Sequence, residues 1–147
     1  MHKTLGYLLT WTTYGTWLQG NKKGYVKNGV IFKPNTPLAN TNKQKLKKDP
    51  VVLTPVQREI IETAIRIRAG EIGQKIYAVA VCSDHIHLVV DYTTKDLGLI
   101  VRHYKTASLK AMRDKGFTGP LWTKGFDKRY CFDEKTLRSR ISYVNKH

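Results

Sequence analysis

The sequence predicts an α+β sandwich, ferredoxin-like in its order of elements, with a mostly antiparallel sheet, helices on one face and a further C-terminal helix. Three observations carry this. Four short runs rich in aromatic, β-branched and other apolar residues lie at 5–14, 75–82, 85–92 and 121–132. Three longer stretches have apolar residues at helical spacing, at 55–70, 96–115 and 134–147. The chain has 147 residues and is 41% apolar, which fits one domain over 1–147 with a real core.

Leu5 to Tyr14 reads as the first strand. Gly15 and Gly20 then mark turns. Residues from about 19 to 54 are rich in Lys, Asn, Gly and Pro, and read as a long basic loop with a short strand at Gly29–Phe32. Loops of that length in a compact domain are usually functional. Thr54-Pro55-Val56-Gln57 is a helix start: Thr54 caps, Pro55 suits the first helical position and Gln57 completes a capping box. Val56, Ile60, Ile61, Ala64, Ile65 and Ile67 give the helical stripe, and Gly70 or Gly73 ends it.

Lys75 to Cys82 and His85 to Tyr92 form two strands joined at the Ser83-Asp84 corner. The next helix, Asp96 to Lys115, carries Leu97, Ile100, Val101, Tyr104, Ala107 and Ala111 on its stripe. Ser108 interrupts that stripe, and Leu109 and Met112 fall off it or at its edge. Leu121 to Phe132 holds one or two strand-like pieces. Asp133 then caps a last helix from Glu134 to His147.

The net charge is +15 and it is segregated. Residues 1–54 carry nine basic and one acidic residue, residues 55–101 five and six, and residues 102–147 twelve and four. Two basic ends around a neutral middle point to a polyanionic partner, of which nucleic acid is the commonest. No apolar run approaches the roughly 18 residues of a membrane span. The N-terminus lacks a signal-peptide layout, so a cytoplasmic protein is expected. Cys82 and Cys131 are not spaced as a CxxC and are expected as free thiols, Cys82 as a small core residue.

Asp84-His85-Ile86-His87-Leu88-Val89-Val90 is the most specific stretch. Strand residues at i and i+2 share a face, so His85 and His87 stand about 7 Å apart at the backbone. Two imidazoles at that spacing can share a divalent metal, or can simply be polar residues on a wet sheet face. Asp84 is expected to point to the opposite face. In the last helix Leu137, Ile141 and Val144 form the buried stripe. Tyr143 points about 120° away from its centre, with His147 one turn on and Arg140 one turn before.

These residues carry a resemblance. The chain resembles the single-tyrosine HUH transposases, the insertion-sequence-200-like group, and especially the branch associated with repetitive extragenic palindromes. Four segments are similar: Thr10-Trp11-Thr12-Thr13-Tyr14-Gly15-Thr16-Trp17-Leu18, Asp84-His85-Ile86-His87, Leu121-Trp122 to Phe126, and Ile141-Ser142-Tyr143-Val144.

The resemblance implies metal-dependent cleavage and strand transfer of single-stranded DNA, often hairpin-containing. The reaction would run through a 5′-phosphotyrosine. It implies Tyr143 as nucleophile and His85 and His87 as ligands of Mg²⁺ or Mn²⁺. The third ligand falls on His147, a departure from the Gln or Asn common in the family. The family includes homodimers with shared active sites and also monomers, so a homodimer and a monomer both stay open. On charge and aromatic character, Arg102, Lys105, Arg140 and Trp17 are expected to contact the DNA. Trp11, Tyr14, Tyr25, Tyr104 and Trp122 are further stacking candidates, most of them expected as packing. Two alternatives stay open: a non-catalytic DNA or RNA hairpin-binding module on the same fold, and a zinc hydrolase built on the two histidines.

Overall fold

The computed structural model describes residues 3–16, 25–27, 30–32 and 49–147. In chain order its elements are β1 (Gly6–Thr12), β2 (Tyr25–Lys27), β3 (Val30–Phe32), α1 (Pro55–Glu71), β4 (Ile76–Val81), β5 (His85–Asp91), α2 (Leu97–Asp114), β6 (Asp127–Cys131) and α3 (Glu134–Asn145). The main sheet has the strand order β4-β5-β1-β6, with every neighbour antiparallel. β1 and β4, joined through α1, therefore run parallel with β5 between them, the split β-α-β of a ferredoxin-like sheet. β2 and β3 form a separate two-stranded sheet. The sequence reading anticipated only the second of these two short strands. Residues 17–24, 28–29 and 33–48 lie outside the described residues.

The two central strands have two different faces because side chains alternate along them. Tyr7, Leu9 and Trp11 of β1 and Ile86, Leu88 and Val90 of β5 point into the larger core. Ile61, Ile65 and Ala69 of α1 and Leu97, Ile100, Val101, Tyr104 and Met112 of α2 cover them. Leu8 and Val89 point the other way, with Ala78 and Ala80 of β4, into a smaller core under Val144, Leu137 and Ile141 of α3. The paired helices thus share one face, and the C-terminal helix takes the other. Among the described residues no helix is long and apolar enough to cross a membrane.

Thr54 accepts a hydrogen bond from the Gln57 amide while the Gln57 side chain accepts one from the Thr54 amide, completing the capping box of α1. Val56 and Ile67 do not belong to the buried stripe of α1; both are well exposed. In α2 the stripe continues through Met112, which is buried, rather than through Ala107 and Ala111, which are only partly covered. Successive steps of four from Tyr104 lead through Ser108 to Met112. The Ser108 hydroxyl is tolerated in the core because it donates to the Tyr104 carbonyl (2.7 Å) and accepts from Trp122 Nε1 (3.0 Å). Both described cysteines are free; Cys131 is the fully buried one, and Cys82 is half-buried against the smaller core.

The opening strand is tied down by threonines. Thr12 Oγ1 donates to the Thr16 carbonyl (2.8 Å), Thr13 Oγ1 to the Val51 carbonyl (2.6 Å) and Thr123 Oγ1 to the Thr13 carbonyl (2.6 Å). The Thr13 amide bonds the Asp84 carbonyl (2.9 Å) and the Thr123 amide the Thr12 carbonyl (3.0 Å). Hydroxyls here satisfy backbone groups that have no ladder partner. The result is a fixed corner at Asp84, just before the histidine strand.

Gly6 lets α3 approach the sheet. A Cβ there would lie 2.5 Å from the Val90 carbonyl oxygen and 3.2 Å from Leu137 Cδ1. Gly6→Ala should therefore lower the unfolding free energy by about 1–3 kcal/mol, the usual cost of overpacking. Urea unfolding measures this; an unchanged midpoint would show that the β1–β5 pair can part without cost.

Candidate active site

β5 presents His85 and His87 on the α3 face of the sheet, since Ile86 and Leu88 take the opposite core. Their ring centroids are 4.8 Å apart. α3 crosses this face and delivers two more rings. Tyr143 lies 5.4 Å from His87, and His147 lies 4.7 Å from His87 and 6.1 Å from His85, centroid to centroid. Tyr143 and His147 are 4.5 Å apart. The off-stripe position of Tyr143 follows from the stripe itself: burying Val144 turns its neighbour sideways onto the histidines. Tyr143 remains about half exposed, so its ring is open to a ligand from solvent.

Each histidine is oriented through Nδ1. His85 Nδ1 bonds Asp84 Oδ1 (2.8 Å), His87 Nδ1 bonds Thr10 Oγ1 (2.9 Å), and His147 Nδ1 bonds the Tyr143 carbonyl (3.0 Å). A carboxylate and a carbonyl can only accept, so His85 and His147 carry their proton on Nδ1 in these bonds. In the neutral ring, which a metal ligand must be, this puts the lone pair on Nε2, the arrangement that outer partners impose on metal-bound imidazoles.

One ligand atom from each of His85, His87 and His147 lies within 4.8 Å of the others. Two nitrogens bound to one ion at about 2.1 Å can be at most about 4.2 Å apart. Three nitrogens on one ion sit about 3–3.6 Å apart, so the triad would hold an ion after its side chains close by about an ångström, and its donors fit a transition-type divalent metal. Burial first, then the neighbouring His85 and His147, lowers the His87 pKa from 6.5 to about 4. Its imidazole is thus neutral, as a ligand must be.

Two residues of this site were not assigned to it from the sequence. Asp84 does not point away: it sits at the corner before the strand begins, and its carboxylate turns back to His85. Thr10 lies directly opposite His87 in the β1–β5 register. Its signal was present, since Leu9 and Trp11 must face the core and so turn Thr10 outward.

The expected DNA contacts are dispersed. Arg102 is exposed on α2, which covers the sheet face opposite the histidines. Lys105, on the same helix, donates to the Thr123 carbonyl (2.9 Å) and the Gly125 carbonyl (2.7 Å), and burial lowers its pKa. It holds the 123–125 turn, so its ammonium is engaged away from the histidines. Arg140 lies on α3 one turn before Tyr143, against the Cys131 thiol. Trp17 lies outside the described residues. Trp11 and Tyr104 are buried, and Trp122 packs edge-on to Trp11, so these three are structural.

Fold and site together define a ferredoxin-like α+β protein with a histidine triad facing a tyrosine on its C-terminal helix. The chain belongs to the family described as Transposase IS200 like, which residues 45–147 match. Two solved structures are similar. One is a tyrosine transposase associated with REP elements, bound to a REP hairpin, at 14% identity and TM-score 0.55, over 98% of this chain and 67% of that one. The other, from Deinococcus radiodurans R1, is assigned as a transposase, at 18% identity and TM-score 0.51, over 99% of this chain and 92% of that one. At these identities the likeness concerns the fold. No curated protein matches the chain.

The low pKa of His87 has a sign and a window. Between about pH 6.5 and 4 the unfolded chain takes up a proton that the folded site refuses. Stability is therefore intact above pH 6.5 and is lost as pH falls through that range, by about 3 kcal/mol in all. Urea midpoints of the metal-free protein across this window should show the loss, and His87→Gln should remove that component. Equal pH slopes for the two proteins would rule out His87 as its source.

Proposed function

We propose that this chain is a metal-dependent single-stranded DNA endonuclease and strand transferase, a single catalytic domain over 1–147 that uses Tyr143 as nucleophile. The observation that carries the reading is the convergence of Tyr143 with His85, His87 and His147. The Tyr143 ring is 5.4 Å from His87 and 4.5 Å from His147. A phosphate seated at the triad would lie within reach of the phenol oxygen, which is the first requirement for an in-line displacement.

Bound at the histidines, Mg²⁺ or Mn²⁺ would neutralise and orient the scissile phosphate. Tyr143 Oη attacks phosphorus, forming the Tyr143–phosphate bond and breaking the bond to the departing 3′ oxygen. The phenol proton is released and the 3′ oxygen takes one up as a free hydroxyl. The 5′ end stays on the protein, and attack by a 3′-OH reverses the step without external energy. His87, neutral and nearly buried, holds its position through Thr10, and His85 through Asp84. The half exposure of Tyr143 keeps the attacking oxygen open to an incoming strand. Family membership and the net charge of +15 support a DNA substrate. The related transposase bound to a REP hairpin supports a hairpin-containing one.

Incubation with single-stranded DNA and Mn²⁺ should yield a covalent protein–DNA adduct on denaturing gels. Tyr143→Phe should abolish it while leaving DNA binding intact; equal adduct from both proteins would exclude Tyr143 as the nucleophile. Asp84→Asn should weaken Mn²⁺ binding about 10- to 100-fold in calorimetric titration, the usual cost of losing an outer partner of a metal-bound histidine. An unchanged affinity would separate Asp84 from the metal site.

A further inference from the structure

A second group of rings lies on the other face of the sheet. Tyr92, Tyr130 and Phe132 are 52%, 42% and 47% exposed, unusual for three large aromatic residues in one patch. Two of them, Tyr92 and Tyr130, pack on Tyr7, which is buried and donates to the Thr93 carbonyl (3.0 Å). Tyr92 stacks on Tyr7 at 6.4 Å with planes 24° apart, and Tyr130 meets Tyr7 edge-on at 5.3 Å. Phe132 adjoins Tyr130 at 5.8 Å. Tyr7 belongs to the core, whereas the other three each keep about half of their surface exposed.

The charge of the patch is specific too. Lys128 pairs with Leu9 and Tyr130 with Tyr7 in the β1–β6 register, so Lys128 shares the aromatic face of β6 and is exposed. Asp127 and Arg129 alternate onto the opposite face, where they pair with each other (3.3 Å). One cation beside adjacent exposed rings is the composition that takes unpaired bases: the rings stack on bases and the ammonium meets the phosphate. β6 is also the outer strand next to β1, and its Asp127 end lies opposite Thr10, the partner of His87. A strand leaving the histidine face around this edge reaches the rings within a few residues of sheet.

We propose that Tyr92, Tyr130 and Phe132, with Lys128, form a base-stacking platform for the single-stranded part of the DNA substrate, separate from the histidine site. The proposal rests on the single-stranded DNA reading above. The platform contributes affinity and tolerates any base, because every base offers a flat face.

The test is fluorescence anisotropy with a short fluorescein-labelled oligothymidine, over a series of salt concentrations, with the metal-free full chain. Tyr92→Leu, Tyr130→Leu and Phe132→Leu keep apolar bulk at exposed positions and remove the flat ring. Each variant with a base on its ring should bind about 5- to 150-fold more weakly, with the salt slope unchanged. Tyr130→Phe should retain wild-type affinity. Lys128→Gln should instead reduce the salt slope by about 0.7. Unfolding midpoints equal to wild type identify variants that fold.

If all three folded leucine variants bind within twofold of wild type, the platform is overturned while the DNA reading stands. If the wild type itself does not bind the strand, the DNA reading fails and takes the platform with it. If the variants change the sedimentation coefficient and not the affinity, the patch is a contact between two copies of the chain and the proposal is wrong.

Discussion

The β1–β5 pair governs the rest of the molecule. Its register sets Thr10 opposite His87 and Thr12 opposite His85, and the same alternation drives Leu9, Trp11, Ile86 and Leu88 into the larger core. A slip of one residue would send the histidines into the apolar core and the leucines outward. Both strands are central, with partners on each side, so the register is held by two ladders and by two cores. The threonine bonds at the end of β1 then fix the Asp84 corner, and with it the group that orients His85.

The C-terminal helix completes the arrangement through its own periodicity. Burying Val144 in the smaller core with Leu8 and Val89 leaves one direction for Tyr143 and one for His147, and both lead onto the histidine pair. Gly6 permits the close approach that this needs. The site is therefore a by-product of packing on one side of the sheet. Its precision depends on how well the small core seats α3, and its charge state on how well α3 shields His87 from water.

Much of this was legible in the sequence because it follows from period and pattern. The capping box at Thr54, the two-residue alternation around His85 and the off-stripe position of Tyr143 each have a local cause, and each is observed. What was not legible depends on distant partners. Asp84 reaches His85 only because the corner precedes the strand, which alternation cannot describe. Ser108 sits in the α2 stripe with Trp122 supplying a donor from another segment. Lys105 looked like a phosphate ligand until the carbonyls of Thr123 and Gly125 enclosed it. Helical spacing also assigned Val56 and Ile67 to a core that takes only Ile61, Ile65 and Ala69 as fully buried residues of this helix.

The central claim is that three histidines and one tyrosine form a single metal–phosphate site. Anomalous diffraction from crystals grown with Mn²⁺ and a single-stranded oligonucleotide tests it most directly. The account predicts one manganese peak within coordination distance of His85, His87 and His147, with the DNA phosphate beside it on the Tyr143 side. A manganese ion bound elsewhere, or one held by His85 and His87 with His147 and Tyr143 turned away to solvent, would contradict it.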